Sequence, residues 1–263
     1  MIEFITYKLL HLFISNHNEE KLIRILKTNK YFDVTKKIVV LDIGCYIGDW
    51  TKNFIYQLKK ITKKKYQFYL FDANKKIKER VKKICDNKNI KFYNIALSKK
   101  KNFEIFNLNN FFQCSGSSLS NVYKSDNKWV NSRYNFIKFF SFNKKLDKFI
   151  NVKVQTNTLD NICKKLNIKN IDVIKIDVEG SELDVLLGSK KNLKNVKIIY
   201  TEIVENKSKY LKKEKTIKEF LSKKGFKMIK KDDIGNVSLF SNIVAKDNIF
   251  INKKFFFKKN YYG

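Results

Sequence analysis

The stretch 39-VVLDIGCYIGDW-50 decides the fold that we expect for this chain of 263 residues. Its apolar start leads to Asp42, and two glycines four residues apart, Gly44 and Gly48, follow before a polar segment begins. A short apolar run that ends at glycine is typical of a buried strand, and glycine lets the backbone turn sharply and approach a ligand closely. Because the whole chain has only eight glycines, this pair indicates a strand that turns into a helix around a binding site.

Apolar runs and helical periodicity alternate along the rest of the chain. We expect strands over residues 38–43, 66–72, 90–97, 171–177, 196–203, 226–231 and 238–246, and helices over 48–60, 75–86, 159–167, 181–194 and 214–224. Strands that alternate with helices pair in parallel and are covered by helices on both faces. The expected fold class is therefore α/β, with a Rossmann-like, doubly wound and mostly parallel sheet of seven strands.

Three further segments flank or interrupt this alternation. Residues 1–35 are expected to form a helical lead, residues 36–248 the main domain, and residues 249–263 a basic and aromatic tail. An insertion at about 102–152 follows the third strand, and long insertions in α/β domains often form lids or substrate walls. The alternative is a hairpin or an extra helix whose aromatic side chains only pack. The side chains that we expect to face a substrate are Tyr123, Trp129, Ser117 and Ser118.

The net charge of +31 suggests a nucleic-acid partner at first sight. Arginine, however, accounts for only three of the 56 basic residues, whereas proteins that bind phosphates usually also use arginine forks. The chain has no proline and is rich in Lys, Asn, Ile, Phe and Tyr, which have AT-rich codons. We therefore attribute the lysine excess to codon bias and do not expect a nucleic-acid partner.

Other classes of protein are excluded by simple counts. No apolar run approaches the roughly 18 residues that a membrane span needs, and the first residues lack the features of a signal peptide, so we expect a cytoplasmic protein. The four cysteines contain no C-x-x-C pair, which argues against a disulfide framework or a zinc cluster. The only histidines are His11 and His17, so a histidine-based catalytic triad is not expected.

Polar side chains stand where successive strands are expected to end. Asp72 follows the second strand, Asn94 lies in the third, Asp177 and Glu179 follow the next, and Glu202 ends the one after. In doubly wound sheets ligands bind beyond the carboxyl ends of the strands, so these groups would meet on one rim. A carboxylate after the second strand can accept both hydroxyls of a ribose. Each acid alone is compatible with a solvated loop or a helix cap, but their joint placement favours a site.

The residues of this rim also resemble those of a known family. The run 40-VLDIGCYIGDW-50 resembles the first motif of S-adenosylmethionine-dependent methyltransferases of the Rossmann-like class, class I. More narrowly, the chain resembles the FkbM family. The motifs that carry this resemblance are, in order, VLDIG-x-x-IG, 71-FDAN-74, 94-NIALS-98, 158-TLD-160, 174-IKIDVEGSELDVLLG-188 and a strand ending in Glu202. The resemblance covers about residues 38–245. The chain departs from the family's motifs at 71-FDAN-74, where F-E-P-N is more usual, and at Cys45, where a small residue such as alanine is more common.

The resemblance implies S-adenosylmethionine as the cofactor. It also implies transfer of a methyl group to a hydroxyl of a small molecule, namely a sugar, a polysaccharide or a secondary metabolite. The residues that it assigns to the cofactor are Asp42, Gly44, Cys45, Tyr46, Gly48, Asp72, Ala73, Asn94, Ile95, Ala96 and Asp177.

Carboxylates are the candidates for the base that takes the hydroxyl proton, because no histidine lies in the sheet region. The candidate catalytic residues are Asp177, Glu179 and Glu202. Asp177 has the alternative role of orienting the methionine ammonium group, and Glu179 that of capping the helix near Ser181. Three carboxylates on one rim are also suitable ligands for Mg²⁺, but nothing in their spacing requires a metal, and we expect none.

Two other functions remain open from the sequence alone. One is a nucleic-acid methyltransferase that uses the basic surface. The other is a cofactor-binding protein that docks on an anionic membrane through its lysine-rich surface and the tail at residues 249–263. An NAD-dependent oxidoreductase is disfavoured, because the first turn lacks the third glycine of the G-x-G-x-x-G pattern.

Overall fold

The computed structural model describes residues 18–109, 116–125, 149–231 and 242–256. These parts of the chain form ten strands and seven α-helices, besides short 3₁₀ turns. The strands are β1 (Lys37–Ile43), β2 (Lys65–Phe71), β3 (Ile90–Tyr93), β4 (Ala96–Leu97), β5 (Asn102–Asn109), β6 (Phe149–Asn157), β7 (Ile171–Ile176), β8 (Val196–Asn206), β9 (Phe226–Lys231) and β10 (Ile243–Asn252). The helices are α1 (Asn18–Lys27), α2 (Asp49–Ile61), α3 (Lys78–Cys85), α4 (Val122–Ser125), α5 (Leu159–Lys165), α6 (Glu182–Leu187) and α7 (Lys207–Lys223).

The central sheet has seven strands in the order β3-β2-β1-β7-β8-β10-β9. The first five of these are parallel, and β10 runs antiparallel to both of its neighbours. Ile43 pairs with Phe71 on one side and with Ile176 on the other, so the carboxyl ends of the three central strands lie level. The expected mostly parallel, seven-stranded α/β sheet is confirmed.

Hydrophobic residues on both faces of the sheet form its core. All six residues of β7 are buried, as is typical of a parallel strand that is covered by helices on both sides. Val173 packs in one cluster with Phe54 of α2, whereas its neighbour Ile174 packs in a second cluster with Ile217 of α7. Because side chains alternate along a strand, these two clusters lie on opposite faces.

The expected third strand, 90–97, is divided into β3 and β4, and β4 joins the insertion in a small second sheet. Its strand order is β4-β6-β5, with β4 parallel and β5 antiparallel to β6. Residues 116–125 lie beside β5, where Ser118 forms an antiparallel β-bridge with Asn107. Trp129, expected to face a substrate, lies outside the described residues.

Two helices have bounds that differ from those expected. The helix expected at 181–194 ends at Gly188, where any side chain would clash with the carbonyl oxygen of Ser98. The helix expected at 214–224 begins at Lys207, because β8 continues to Asn206 and leads directly into it. Both differences depend on contacts between segments that are distant in sequence.

The two ends of the described chain pack together. Strand β10 extends to Asn252, and Phe255 and Phe256 beyond it are buried in the same cluster as Leu22 of α1. The amide of Lys30 donates to the carbonyl of Phe255 at 3.1 Å. The first part of the segment at 249–263 is thus part of the sheet and the core. Residues 1–17 of the lead and 257–263 of the tail lie outside the described residues.

None of the helices in the described ranges has the length and apolar character needed to cross a membrane.

Candidate active site

The turn after β1 is shaped by three residues with positive φ angles, Gly44 at 78°, Tyr46 at 48° and Gly48 at 80°. A side chain at Gly44 would clash with the backbone carbonyl of Asp177, so only glycine fits there. Gly48 caps α2 and, as a glycine, offers no side chain to the free amides of the first helical turn. The amides of Gly44 and Tyr46 are engaged with the Phe71 carbonyl and with Asp72, so the first turn of α2 is the part that presents amides to a polar ligand.

A buried ion-pair network supports this turn from below. Asp42 is fully buried; it accepts a hydrogen bond from the Thr51 hydroxyl at 2.6 Å and pairs with Nζ of Lys175 at 3.2 Å. The same ammonium group donates to the Gly44 carbonyl at 3.1 Å and pairs with Asp177 at 3.2 Å. Burial alone would lower the pKa of Lys175, but the charges of Asp42 and Asp177 outweigh burial and raise it. Lys175 thus joins the turn to the acids after β7.

Asp72 lies at the end of β2 and contacts the turn directly. Its Oδ2 accepts from the Tyr46 amide at 2.9 Å and its Oδ1 from the Asn74 amide at 2.8 Å. Each oxygen keeps a further lone pair, so the carboxylate can still accept two hydroxyl donors. Desolvation raises the pKa of Asp72 to about 6, against the lowering effect of the two backbone hydrogen bonds. Asn94 donates from its side chain to the Asp72 carbonyl at 2.8 Å, which fixes the end of the strand.

The remaining residues expected at the cofactor lie around this turn with different exposures. Cys45 is buried in the core next to α2, and burial raises the pKa of its thiol well above the ordinary value, so its side chain supports the turn from inside. Ala73 and Ala96 are also buried, in a small cluster beneath the second sheet. Ile95 is partly exposed and packs against the larger core cluster that contains Phe71.

Three carboxylates meet beyond the end of β7, next to the part of β8 that carries Glu202. One oxygen from each of Asp177, Glu179 and Glu202 lies within 4.8 Å of the others, a spacing that suits a shared cation. Glu179 has a φ angle of 54°, a left-handed conformation that is costly for a residue with a side chain and is typical of functional sites. We call these three residues the acid cluster.

The surroundings of Glu202 favour its protonated form. Desolvation raises its pKa well above the ordinary value, and so do the charges of Asp177, Glu179 and Asp247 and a hydrogen bond with Asp177. Asp177, the partner in this hydrogen bond, also pairs with Lys175. Glu202 is thus harder to ionise than an ordinary glutamate.

Two tyrosines border the acid cluster. The Tyr200 hydroxyl donates to Asp247 at 2.8 Å, and burial followed by the Asp247 charge raises its pKa. Tyr123, from α4 in the insertion, shares a hydrogen bond with Glu179. The cluster is thus enclosed by a strand residue on one side and by the insertion on the other.

A second buried ion pair fixes the turn that carries Glu179. Glu182 is fully buried; it accepts from the Gly180 amide at 2.6 Å and pairs with Lys213 of α7 at 2.8 Å. Lys213 also donates to the carbonyls of Gly180 and Val204, both at 2.7 Å. Ser181 occupies the N-cap position of α6 but makes no side-chain capping bond. The turn is therefore held mainly by Glu182 and Lys213.

Residues 42–228 match the family model described as a methyltransferase FkbM domain. The chain belongs to the FkbM methyltransferase family. The match begins at Asp42 and ends within β9, so the FkbM domain contains the turn after β1, the insertion and the acid cluster.

One curated relative of this FkbM chain is the 2-O-methyltransferase NoeI of Sinorhizobium fredii, with 26% identity over 166 residues. The match spans 62% of this chain and 62% of NoeI, less than two thirds of that relative. Among solved structures, a fibrillarin pre-rRNA processing protein of Methanococcus jannaschii aligns with a TM-score of 0.40 at 16% identity, covering 90% of this chain and 76% of that one. A SAM-dependent methyltransferase of Aquifex aeolicus aligns with a TM-score of 0.36 at 12% identity, covering 89% and 98%.

Sequence reasoning placed the acids of the FkbM site on one rim but missed the residues that hold them. Lys175 and Lys213 are two of many lysines in the sequence, and only their buried partners distinguish them. A signal was nonetheless present for Lys175, because a charged residue interrupts the apolar run 171-IDVIKID-177 of a fully buried strand. Such a residue requires a partner of opposite charge.

Proposed function

We propose that this FkbM domain is an S-adenosylmethionine-dependent O-methyltransferase whose acceptor is a hydroxyl of a saccharide or a similar polyhydroxylated small molecule. The observation that carries the proposal is the acid cluster directly beside the glycine turn, with the Asp177 backbone in contact with Gly44. Membership of the family supports methyl transfer, and the 26% identity to NoeI, named a 2-O-methyltransferase, supports a hydroxyl acceptor.

The residues of the turn fit the cofactor. The two remaining lone pairs of the Asp72 carboxylate match a pair of ribose hydroxyls. Asp177, which lies against Gly44, is placed to accept the ammonium group of the methionine moiety. The residues that would flank the adenine ring are Ala73, Ile95 and Ala96, with Asn94 holding the strand end behind them. S-adenosylmethionine supplies an electrophilic methyl group on a sulfonium.

Within the acid cluster the three carboxylates have different roles. Desolvation raises the pKa of Glu202 well above the ordinary value, and Asp177 is paired with Lys175. We assign the base to Glu179, whose left-handed turn directs its carboxylate toward the other two acids. Such a base removes the hydroxyl proton as the acceptor oxygen forms its bond to carbon, and it contributes roughly 10²–10⁴-fold to the rate.

Positioning supplies the rest of the rate. Methyl transfer is an in-line displacement, so the acceptor oxygen has to lie about 3–3.5 Å behind the methyl carbon. Residues 116–125 of the insertion pack over the turn at 177–180 and form one wall beside the acid cluster. The hydroxyls of Ser117 and Ser118 are engaged with Asn109 and Val178, so they shape this wall.

The test is methyl transfer from methyl-labelled S-adenosylmethionine to a panel of mono- and oligosaccharides, with RNA as a separate acceptor. We expect labelled saccharide, and a 10²–10⁴-fold lower turnover in Glu179→Gln at unchanged cofactor affinity. Glu219→Gln, an exposed substitution on α7, is the matched control and keeps full turnover. Labelling of RNA alone would overturn the acceptor class. Unchanged turnover in Glu179→Gln would overturn the assignment of the base.

A further inference from the structure

The described part of the insertion is built onto the turn that carries Glu179. The Ser118 hydroxyl donates to the Val178 carbonyl at 2.9 Å. A Cβ atom at Gly180 would lie 2.7 Å from the Ser120 hydroxyl and 3.0 Å from a methyl group of Val122, so these two side chains pack directly against the Gly180 backbone. The position of α4 therefore determines which side chain of the insertion faces Glu179.

Segment 116–125 is itself fixed by several contacts. Asn107 of β5 exchanges two backbone hydrogen bonds with Ser118, at 2.8 and 3.2 Å, and its side chain donates to the Ser120 carbonyl at 3.0 Å. The Ser120 hydroxyl then accepts from the Val122 amide at 3.2 Å, which begins α4. Val122 is buried against Val204 of β8. These contacts hold Tyr123, the next residue, over the acid cluster.

Tyr123 is partly buried, and its hydroxyl lies among carboxylates. Burial raises the pKa of its phenol well above the ordinary value, as do the charges of Glu179, Glu202 and Asp177 and the hydrogen bond with Glu179. The phenol therefore remains protonated throughout the working pH range and is a donor. The group that accepts its proton is the Glu179 carboxylate.

We propose that Tyr123 is a positioning residue that donates its phenolic proton to Glu179 and thereby orients this carboxylate toward the acceptor hydroxyl. The inference deepens the proposed function, because it rests on Glu179 as the base. It assigns to the insertion a defined part of the site, beyond that of a covering wall.

The physical reason is that the hydrogen bond stabilises the ionised form of Glu179. The carboxyl groups that lie next to Glu179 are those of Asp177 and Glu202, and a negative charge on either of them disfavours ionisation of Glu179. Lys175 is paired with Asp42 and Asp177. A donor on the insertion side therefore keeps Glu179 able to accept a proton, and it restricts rotation of the carboxylate.

The first test needs neither cofactor nor acceptor. Protein labelled with ¹³C at the glutamate carboxyls is titrated by NMR, with the Glu179 signal assigned by its loss in Glu179→Gln. We expect Tyr123→Phe to raise the Glu179 midpoint by about one pH unit, since a hydrogen bond to a charged group contributes about 1.4 kcal/mol or more. Tyr210→Phe removes another phenol that contacts a carboxylate, that of Glu214, and leaves the midpoint unchanged. An unchanged midpoint in folded Tyr123→Phe would overturn the proposal.

The reciprocal titration covers the case in which Tyr123→Phe does not fold. In protein labelled at the tyrosine Cζ, Glu179→Gln is expected to lower the pKa of Tyr123, because it removes a negative charge and the acceptor of the phenolic proton. An unaltered Tyr123 titration in Glu179→Gln would overturn the proposed hydrogen bond between Tyr123 and Glu179, as would an unchanged Glu179 midpoint in the first test.

The second test asks whether Tyr123 acts through Glu179. We expect Tyr123→Phe to lower kcat/KM about tenfold in the wild-type background, to raise the midpoint of the acidic limb of the pH profile, and to change little in Glu179→Gln. Equal losses in both backgrounds would contradict a positioning role. If the wild-type protein methylates no hydroxyl, the proposed function fails, while the two titrations still decide whether the phenol holds Glu179.

Discussion

Replacement of Lys175 by methionine tests whether the turn after β1 and the acid cluster are joined by one buried cation. The substitution keeps most of the aliphatic stem but removes an ammonium group that lies 3.2 Å from Asp42, 3.2 Å from Asp177 and 3.1 Å from the Gly44 carbonyl. Asp42 is then left fully buried with only the Thr51 hydroxyl as donor in the described structure. Breaking a buried ion pair by removing one partner costs about 3–5 kcal/mol, a large part of the stability of a typical domain.

Denaturation by guanidinium at pH 7 measures this loss. Lys52→Met, which breaks an exposed pair with Asp49, is the control and is expected to cost less than about 1 kcal/mol. In the double variant Lys175→Met/Asp42→Asn, the amide oxygen at position 42 still accepts from Thr51, and this ion pair leaves no buried charge behind. The stability lost in the double variant is therefore smaller, by at least ~1 kcal/mol, than the sum of the losses in the two single variants. A loss below ~1 kcal/mol in Lys175→Met, or strict additivity in the double variant, would refute the reasoning.

Three further outcomes are expected. Glu202→Gln keeps turnover within a few-fold, because an amide preserves the hydrogen bond with Asp177, whereas a loss as large as that of Glu179→Gln would show that Glu202 is the base. Affinity for S-adenosylmethionine falls up to about tenfold per pH unit as the pH drops below the Asp72 pKa of about 6, since ribose hydroxyls favour the ionised carboxylate. Calorimetry from pH 8 to 5 measures this pH dependence. The same pH dependence in Asp72→Asn would contradict the assignment of Asp72 to the ribose. Methyl transfer survives EDTA, because Lys175 already offsets part of the charge of the acid cluster; a loss that Mg²⁺ restores would make the cluster a metal site.

The sheet could be predicted from the sequence because its signals are local. The strands β1, β2 and β7 are short apolar runs that end in polar residues, and glycine marks the turn after the first of them. Parallel pairing then follows from the intervening helices. The order of strands around β1 also places Asp72, Asp177 and Glu202 on the same edge, as expected.

The bounds of α6 and the support of the site could not be predicted in the same way, because both depend on contacts between distant segments. Gly188 ends α6 against the Ser98 carbonyl, 90 residues away in sequence. Lys175 and Lys213 resemble the other lysines of a strongly basic chain until the fold brings them to Asp42 and Glu182. Residue types indicate that a buried acid needs a partner, but only the fold determines which cation provides it.

The insertion shows a third kind of limit. Its length and aromatic content suggested a substrate wall, and Tyr123 was among the side chains expected to face the substrate. In the structure its phenol contacts Glu179, an acid from a different part of the chain. Composition could indicate that the insertion borders the site, but the contact between these two side chains depends on the packing of Ser118 and Ser120 against the turn at 177–180.

Calorimetric titration with S-adenosylmethionine tests the central claim most directly, with NAD as the competing nucleotide. The variant is Asp72→Asn, which preserves the shape of a residue that also holds the Tyr46 and Asn74 amides, and Asp86→Asn on the surface beyond α3 is its matched control. We predict micromolar binding of S-adenosylmethionine in the wild type and in Asp86→Asn, clearly weaker binding in Asp72→Asn, and no binding of NAD. Absence of S-adenosylmethionine binding to the folded wild type, or equal affinity in Asp72→Asn, would contradict the account of the turn as a cofactor site.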